Sequence, residues 1–260
     1  MTVAASLSLS SSSHDPANRR REIDPLALYA SAIDTSDYVA KIAPLIRRRV
    51  PETGDLLDIG AGGGQLGAAL RDPAQRWTAI EPSPFMQSRL AALHPPPRVV
   101  AAGWPTADVG FDAHDTVLAA TMPATMDEPE TFLARCRSWA RRTVVWVVPA
   151  HAGPRGLCFA GCLPLEWHGE DETPGVEVTL RGLSPGSRPR HVEFVDWIFT
   201  GIVADLDELA GYLATRLGWP AADDRRARLV AHLAAQAKRE AAGFRLDISR
   251  KSAVLVWGKS

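Results

Sequence analysis

Two carboxylates, Asp58 and Glu81, stand where their surroundings suit them to grip a ligand. Asp58 comes two positions ahead of the run Gly60-Ala61-Gly62-Gly63-Gly64-Gln65-Leu66-Gly67, and Glu81 follows Gly60 by 21 positions. Glycine adopts positive φ without strain and lets a ligand approach the backbone with no Cβ in the way. Between the end of a strand and the start of a helix, such a loop presents free backbone N–H groups. In an open α/β sheet ligands bind there, beyond the carboxyl ends of the strands. A carboxylate ending the next strand can accept hydrogen bonds from both hydroxyls of a ribose. The pattern points to a nucleoside ligand.

Two such ligands compete. Gly62 to Gly67 satisfies G-x-G-x-x-G, which alone is a weak dinucleotide signal. On that reading the chain is an NAD(P)-dependent oxidoreductase. Asp58 favours a different ligand, because a carboxylate at the loop's edge repels a diphosphate and attracts an ammonium or sulfonium ion. S-adenosyl-L-methionine (SAM) carries both cations, whereas NAD carries a diphosphate. Glu81 suits either.

The stretches Leu57-Asp58-Ile59-Gly60-Ala61-Gly62-Gly63-Gly64 and Ala79-Ile80-Glu81-Pro82-Ser83 resemble the first two motifs of class I SAM-dependent methyltransferases of the small-molecule type. The resemblance covers about residues 55–148 and fades afterwards. It implies that Gly60, Ala61 and Gly62, with Gly64 in the same loop, line the methionine part of SAM. Asp58 would meet the amino group and Glu81 the ribose, while Pro82, Ser83 and Phe85 flank the adenine. The family's usual acidic residue after the third strand is missing, and the chain reads Ala102-Gly103-Trp104-Pro105 there. Either Trp104 stacks on the adenine, or a backbone group near Gly103 meets it and Trp104 is a half-buried packing residue. Phe111-Asp112 resembles the family's stretch before the fourth strand, and Ala120, Thr121 and Met122 would wall the methyl group. The implied activity is methyl transfer to a small-molecule acceptor. A methyltransferase-like protein without catalysis, serving in binding or assembly, stays open.

Methyl transfer from a sulfonium is an in-line displacement in which the cofactor supplies the leaving group, so positioning can carry most of the acceleration. A base is needed only if the acceptor must lose a proton. The candidates are His151, just after the fifth strand, and His168 in Trp167-His168-Gly169-Glu170; each is otherwise a solvated loop histidine. Cys158 and Cys162 are four apart, but the spacing matches no zinc motif, and two small buried cysteines are the simpler reading. Trp167, Phe194, Trp197 and Phe199 suit the core of a cap, or partners for a planar acceptor.

These residues need a scaffold that gathers them. Residues 25–50 read as helix, with Ile33, Val39, Ile42 and Ile46 on one face and Pro44 separating two pieces or kinking one. Short strands are expected at 55–59, 77–80, 98–102, 115–120 and 143–148, with helices at 65–71, 83–93 and 128–140. Apolar runs without polar alternation mark strands covered on both faces. The expected fold is therefore α/β, a Rossmann-like doubly wound methyltransferase sheet, mostly parallel. Further expectations are a substrate-side insertion at about 151–205 and helices at 206–217 and 223–241. A C-terminal antiparallel hairpin follows, its strands at 244–248 and 253–257 turning at Ser249-Arg250-Lys251. The N-terminal helices form a partial lid, residues 1–22 a disordered tail, and residues 23–260 one domain.

Bulk properties exclude other classes. A formal net charge of −1 gives no sign of nucleic acid or an anionic membrane as partner. The clusters Arg19–Arg21, Arg47–Arg49 and Arg141–Arg142 sit at element edges, where solvated arginines are common. Three cysteines in 260 residues do not make a secreted disulfide framework. There is no apolar stretch of about 18 residues and no basic leader before an apolar run. The expected setting is cytoplasmic.

Overall fold

Strand β1 (Leu56–Ile59) is wholly buried and pairs in parallel on both sides, an arrangement that a short apolar run flanked by polar loops favours. The computed structural model describes residues 23–153, 159–169 and 171–258. The serine-rich tail and Cys158 lie outside them. Ahead of β1 come helices α1 (Pro25–Thr35) and α2 (Tyr38–Arg49). After it run α3 (Gln65–Leu70), β2 (Trp77–Ile80), α4 (Pro84–Ala91), β3 (Arg98–Val100), β4 (His114–Ala120), α5 (Pro129–Trp139) and β5 (Ala140–Pro149). Then follow α6 (Leu165–His168), α7 (Gly175–Gly182), β6 (His191–Val203), α8 (Leu206–Arg216), α9 (Arg225–Gln236), β7 (Lys238–Glu240) and β8 (Gly243–Gly258).

The sheet order is β3-β2-β1-β4-β5-β8-β6, with β7 paired to β8. Strands β1 to β5 are parallel, and β8 enters antiparallel between β5 and β6. Alternate residues supply two cores. Leu56, Val145, Val147, Val254 and Val256 face Ile42, Ile46, Leu66 and Leu209 of the helices on one side. Leu57, Val144, Trp146, Val148 and Leu255 face Phe132, Leu133 and Cys136 of α5 on the other. Each such side chain contributes roughly 1.5–3 kcal/mol on burial. A sheet apolar on both faces is stable only when helices cover both, which is the doubly wound fold expected from the sequence.

Local signals start several helices. Asp24 caps α1 by accepting from Leu26 N at 2.9 Å, with Pro25 in the first turn. Ser83 caps α4 ahead of Pro84, and Asp205 caps α8 by accepting from Asp207 N at 2.6 Å. The arginine clusters within the described residues form ion pairs that pin element edges. Arg47 meets Asp72, Arg48 and Arg49 meet Glu193, and Arg141 and Arg142 meet Asp115.

Three details depart from the sequence reading. Pro44 lies inside α2, and the break falls at Ser36-Asp37, where Asp37 Oδ1 accepts from Ile198 N of β6 at 2.6 Å. Ser36 ends α1 locally, its Oγ donating to Ile33 O at 2.9 Å and accepting from Tyr38 N, and the Asp37 bond anchors the break to β6. Ser249-Arg250-Lys251 is not a turn. Those residues pair with Ile198, Trp197 and Asp196 inside one continuous strand, because β6 supplies a full-length partner for the backbone. The antiparallel C-terminal strands are present, but the turn joins β7 to β8 at Ala241-Ala242. The helix expected to run on to residue 241 ends at Gln236, leaving residues 238–240 to that short strand.

Candidate active site

The register of β1 against β2 and β4 brings Ile59, Ile80 and Ala119 level, so the loops after the three strands converge. Gly60 N and Ala61 N both donate to Ile80 O, at 2.8 and 3.2 Å, strapping the glycine loop over the end of β2. Gly60, Gly62 and Gly64 have φ of +61°, +56° and +80°, which L side chains rarely adopt. A Cβ built on Gly62 would meet nothing within 4 Å among the described residues, so the backbone there opens into free space. One on Gly64 would strike Leu90 and Leu93, so that glycine serves close packing against α4.

The strap carries the glycine loop onto Glu81. Its Oε2 accepts from Gly62 N at 2.8 Å and its Oε1 from Ser83 N at 2.9 Å. Each oxygen keeps a further lone-pair site. Glu81 is 6% exposed and Asp58 4%. Burial first, and the neighbouring Glu81 second, push the Asp58 carboxyl up to about 8. A carboxyl so placed ionises readily only when a cation arrives.

Both carboxylates open into a cavity of about 480 Å³. Gly60, Ala61 and Gly62 line one end, with Ala120, Thr121 and Met122 as a wall. Thr121 sits at φ +52°, a strained conformation for a β-branched residue, and its N–H donates to Val147 O at 3.0 Å. The rest of the lining comes from elements distant in sequence. Tyr29 of α1 reaches Thr121 Oγ1 at 3.3 Å, and Tyr38 of α2, Trp197 and Phe199 of β6, Arg216 of α8 and Arg250 of β8 complete it. His151 lines the cavity with both ring nitrogens engaged. Nδ1 is 3.2 Å from Lys251 O and Nε2 is 2.8 Å from Arg250 Nη1. Burial and then Arg250 hold its pKa below the ordinary imidazole value.

Other expected residues lie elsewhere. Pro82 and Ser83 form the turn into α4, and Phe85 sits on that helix, 37% exposed. Gly103 closes a turn by accepting from Thr106 N and Ala107 N. Trp104 lies outside the cavity and packs edge-on against Phe132 at 5.1 Å, the packing alternative for that residue. The fully buried Phe132 ring offers it an apolar edge partner that no sequence signal revealed. His168 also stands apart from the cavity, its side chain enclosed and Nε2 3.2 Å from Glu172. Cys162 donates its S–H to Phe159 O, and burial pushes its thiol up to about 11. Among the described residues no cluster of three or more His, Cys, Asp or Glu side chains could hold a metal. Sequence reasoning missed Tyr29, Tyr38, Tyr212, Arg216 and Arg250. The four-residue spacing of Tyr212 and Arg216 was the available signal, since it puts them on one face of α8.

No family model and no curated protein matches the chain. Solved structures do. A candidate methyltransferase from Bacillus halodurans aligns over 84% of this chain and 98% of its own, at 9% identity and a TM-score of 0.50. A candidate type II methyltransferase from Anaeromyxobacter dehalogenans covers 83% and 95%, at 19% identity and 0.52. A protein described with the conversion of a disulfide bond into a thioacetal group during echinomycin biosynthesis covers 85% and 82%, at 11% and 0.53. At such identities the likeness is one of fold.

Proposed function

We propose that this chain is a SAM-dependent methyltransferase acting on a small-molecule acceptor. One observation carries the reading: a buried Asp58 carboxyl, a Glu81 carboxylate with spare lone pairs and an open glycine loop face a single cavity. The residues fit the cofactor. Asp58 meets its ammonium, the backbone of residues 60–62 passes its methionine part, and Glu81 accepts from the ribose hydroxyls. Met86, buried on α4 and lining the cavity, offers the base an apolar contact that Trp104 does not.

When bound, SAM supplies a methyl group on a sulfonium that departs as a neutral thioether. The chain's own task is to hold the acceptor in line and exclude water. Thr121 and Met122 fix the wall at that point. α1 closes over the glycine loop because Asp34 takes ion-paired bonds from Arg89 Nη2 at 2.6 and 2.8 Å and accepts from Gln65 Nε2. His151 holds Arg250 and would have to leave it before accepting a proton, so alignment is the main source of rate. The setting we assign is the cytoplasm. Free thiols at Cys136 and Cys162 fit a reducing compartment, and no described helix is long and apolar enough to cross a membrane.

Two features weigh against a nicotinamide reading. A dinucleotide-binding sheet in the order 3-2-1-4-5-6 is mostly parallel, whereas β8 runs antiparallel between β5 and β6. Asp58 would also repel a diphosphate. Calorimetry with SAM, S-adenosylhomocysteine (SAH) and NAD tests the assignment. Both sulfur ligands should bind and NAD should not; if neither sulfur ligand binds, the reading fails. Release of SAH in the presence of trial acceptors then separates an enzyme from a binding component.

A further inference from the structure

β6 ends the sheet, and no strand among the described residues pairs with its outer edge. An unpaired edge offers a row of backbone donors and acceptors to any other strand, and proteins usually blunt it. Here only part of the edge is blunted. Asp37 Oδ1 accepts from Ile198 N at 2.6 Å and Thr35 Oγ1 donates to Thr200 O at 2.6 Å, so the junction of α1 and α2 covers residues 198–200. The pairing of β6 with β8 runs from His191 to Val203 without a register shift. Backbone groups alternate sides along a strand, so those of Val192, Phe194 and Asp196 point outward like those of Ile198 and Thr200.

The side chains of this open stretch are apolar although they meet water. Val192 is 37% exposed and Phe194 57%. They stand opposite Leu255 and Ala253, and opposed residues of an antiparallel pair share a face. Leu255 and Ala253 belong to the core on the α5 side. Val192 and Phe194 therefore continue an apolar face past the helices that cover it. Charges flank them in a self-complementary order. Arg188 and Arg190, both exposed, precede the stretch. Asp196 ends it, its side chain 80% exposed and 3.4 Å from Lys251. Glu193, on the other face, is ion-paired with Arg48 and Arg49, so it brings little bare charge to the edge.

We propose that β6 pairs edge to edge with β6 of a second copy, antiparallel over residues 192–196, so that one sheet runs through a homodimer. A two-fold axis perpendicular to the sheet keeps the same face uppermost in both copies. Val192 and Phe194 of one protomer then pack beside the partner's Phe194 and the partner's Val192. Backbone groups of opposed residues exchange hydrogen bonds in pairs. Antiparallel pairing also sets the basic start of each segment toward the partner's Asp196, whereas parallel pairing would set like charge on like. The contact is short, at the small end of specific interfaces, so the dimer forms with concentration and is not permanent.

Sedimentation of the full chain tests this. The mass should rise from the 28.1 kDa of one chain toward twice that value, with a dissociation constant of roughly 1–100 µM. Phe194→Lys, at an exposed position, should weaken the dimer about tenfold or more while the circular dichroism stays unchanged. Hydrogen exchange at the amides of Val192, Phe194 and Asp196 should be fast in dilute protein and slow as the dimer fills. A chain that stays single at every concentration, a dimer indifferent to Phe194→Lys, or amides that stay fast in the dimer would each overturn the proposal. Amides protected in the single chain would mean that another segment of the same chain covers the edge, which overturns it too. Should the variant misfold, exchange on the unaltered chain decides. Binding of SAH plays no part in these readouts, so a failure here leaves the cofactor assignment standing.

Discussion

Asp58 should lose its proton when the cofactor binds. Burial and the charge of Glu81 push its carboxyl up to about 8. At pH 7 such a group is about nine-tenths protonated, and stripping it costs about 1.4 kcal/mol, roughly a factor of ten in affinity. At pH 6 the factor is roughly one hundred. The α-amino group of SAH sits beside its own carboxylate, which keeps the ammonium charged through this range. Affinity for SAH should therefore climb from pH 6 and level off above about pH 8. Calorimetry at pH 7 in phosphate and in Tris reads the proton directly: the enthalpies should differ by roughly 0.9 times the difference between the two buffers' ionisation enthalpies. Asp58→Asn should remove the release. An affinity that stays flat between pH 6 and 8, with heats independent of buffer, would refute the reasoning, because Asp58 would then be ionised already or distant from the ammonium.

The same carboxyl makes a prediction about stability. Its folded pKa lies above its unfolded one, so its contribution is complete below about pH 4 and is lost as pH rises through about 8. Asp58→Asn should flatten that decline and melt higher than the unaltered protein at pH 8, as thermal unfolding across pH would show. Glu81→Gln should weaken SAH binding roughly 10- to 150-fold, the loss expected of a charged hydrogen-bond acceptor worth about 1.5–3 kcal/mol. Gly62→Ala should cost about 1–2 kcal/mol of stability through its positive φ alone, since no protein atom opposes the new methyl, and should cost SAH affinity as well. Trp104→Ala should lower the melting temperature by removing the contact to Phe132 while leaving SAH affinity unchanged. A large affinity loss there would restore Trp104 to the adenine.

The sequence by itself determined the doubly wound sheet and the glycine-loop side of the cavity. Those features are local: a strand, its glycine loop, a helix and the next strand's terminal acid lie within about thirty residues, and parallel pairing of β1 and β2 brings Asp58, Gly62 and Glu81 together. Apolar runs such as Val144–Val148 likewise carry their burial in their composition. The rest of the cavity lining was decided only by the tertiary structure. Tyr29, Tyr38, Arg216 and Arg250 come from four elements spread over more than 200 residues, and of these only Arg216, four positions from Tyr212 on α8, carried a sequence signal. Arg250 shows why. Ser249-Arg250-Lys251 has the polarity of a turn, and only the length of β6 beside it makes these residues strand, turning one guanidinium into the cavity against His151. Backbone groups must be paired wherever they are buried, and whether a partner strand is present to pair them is settled by parts of the chain far from the residues in question.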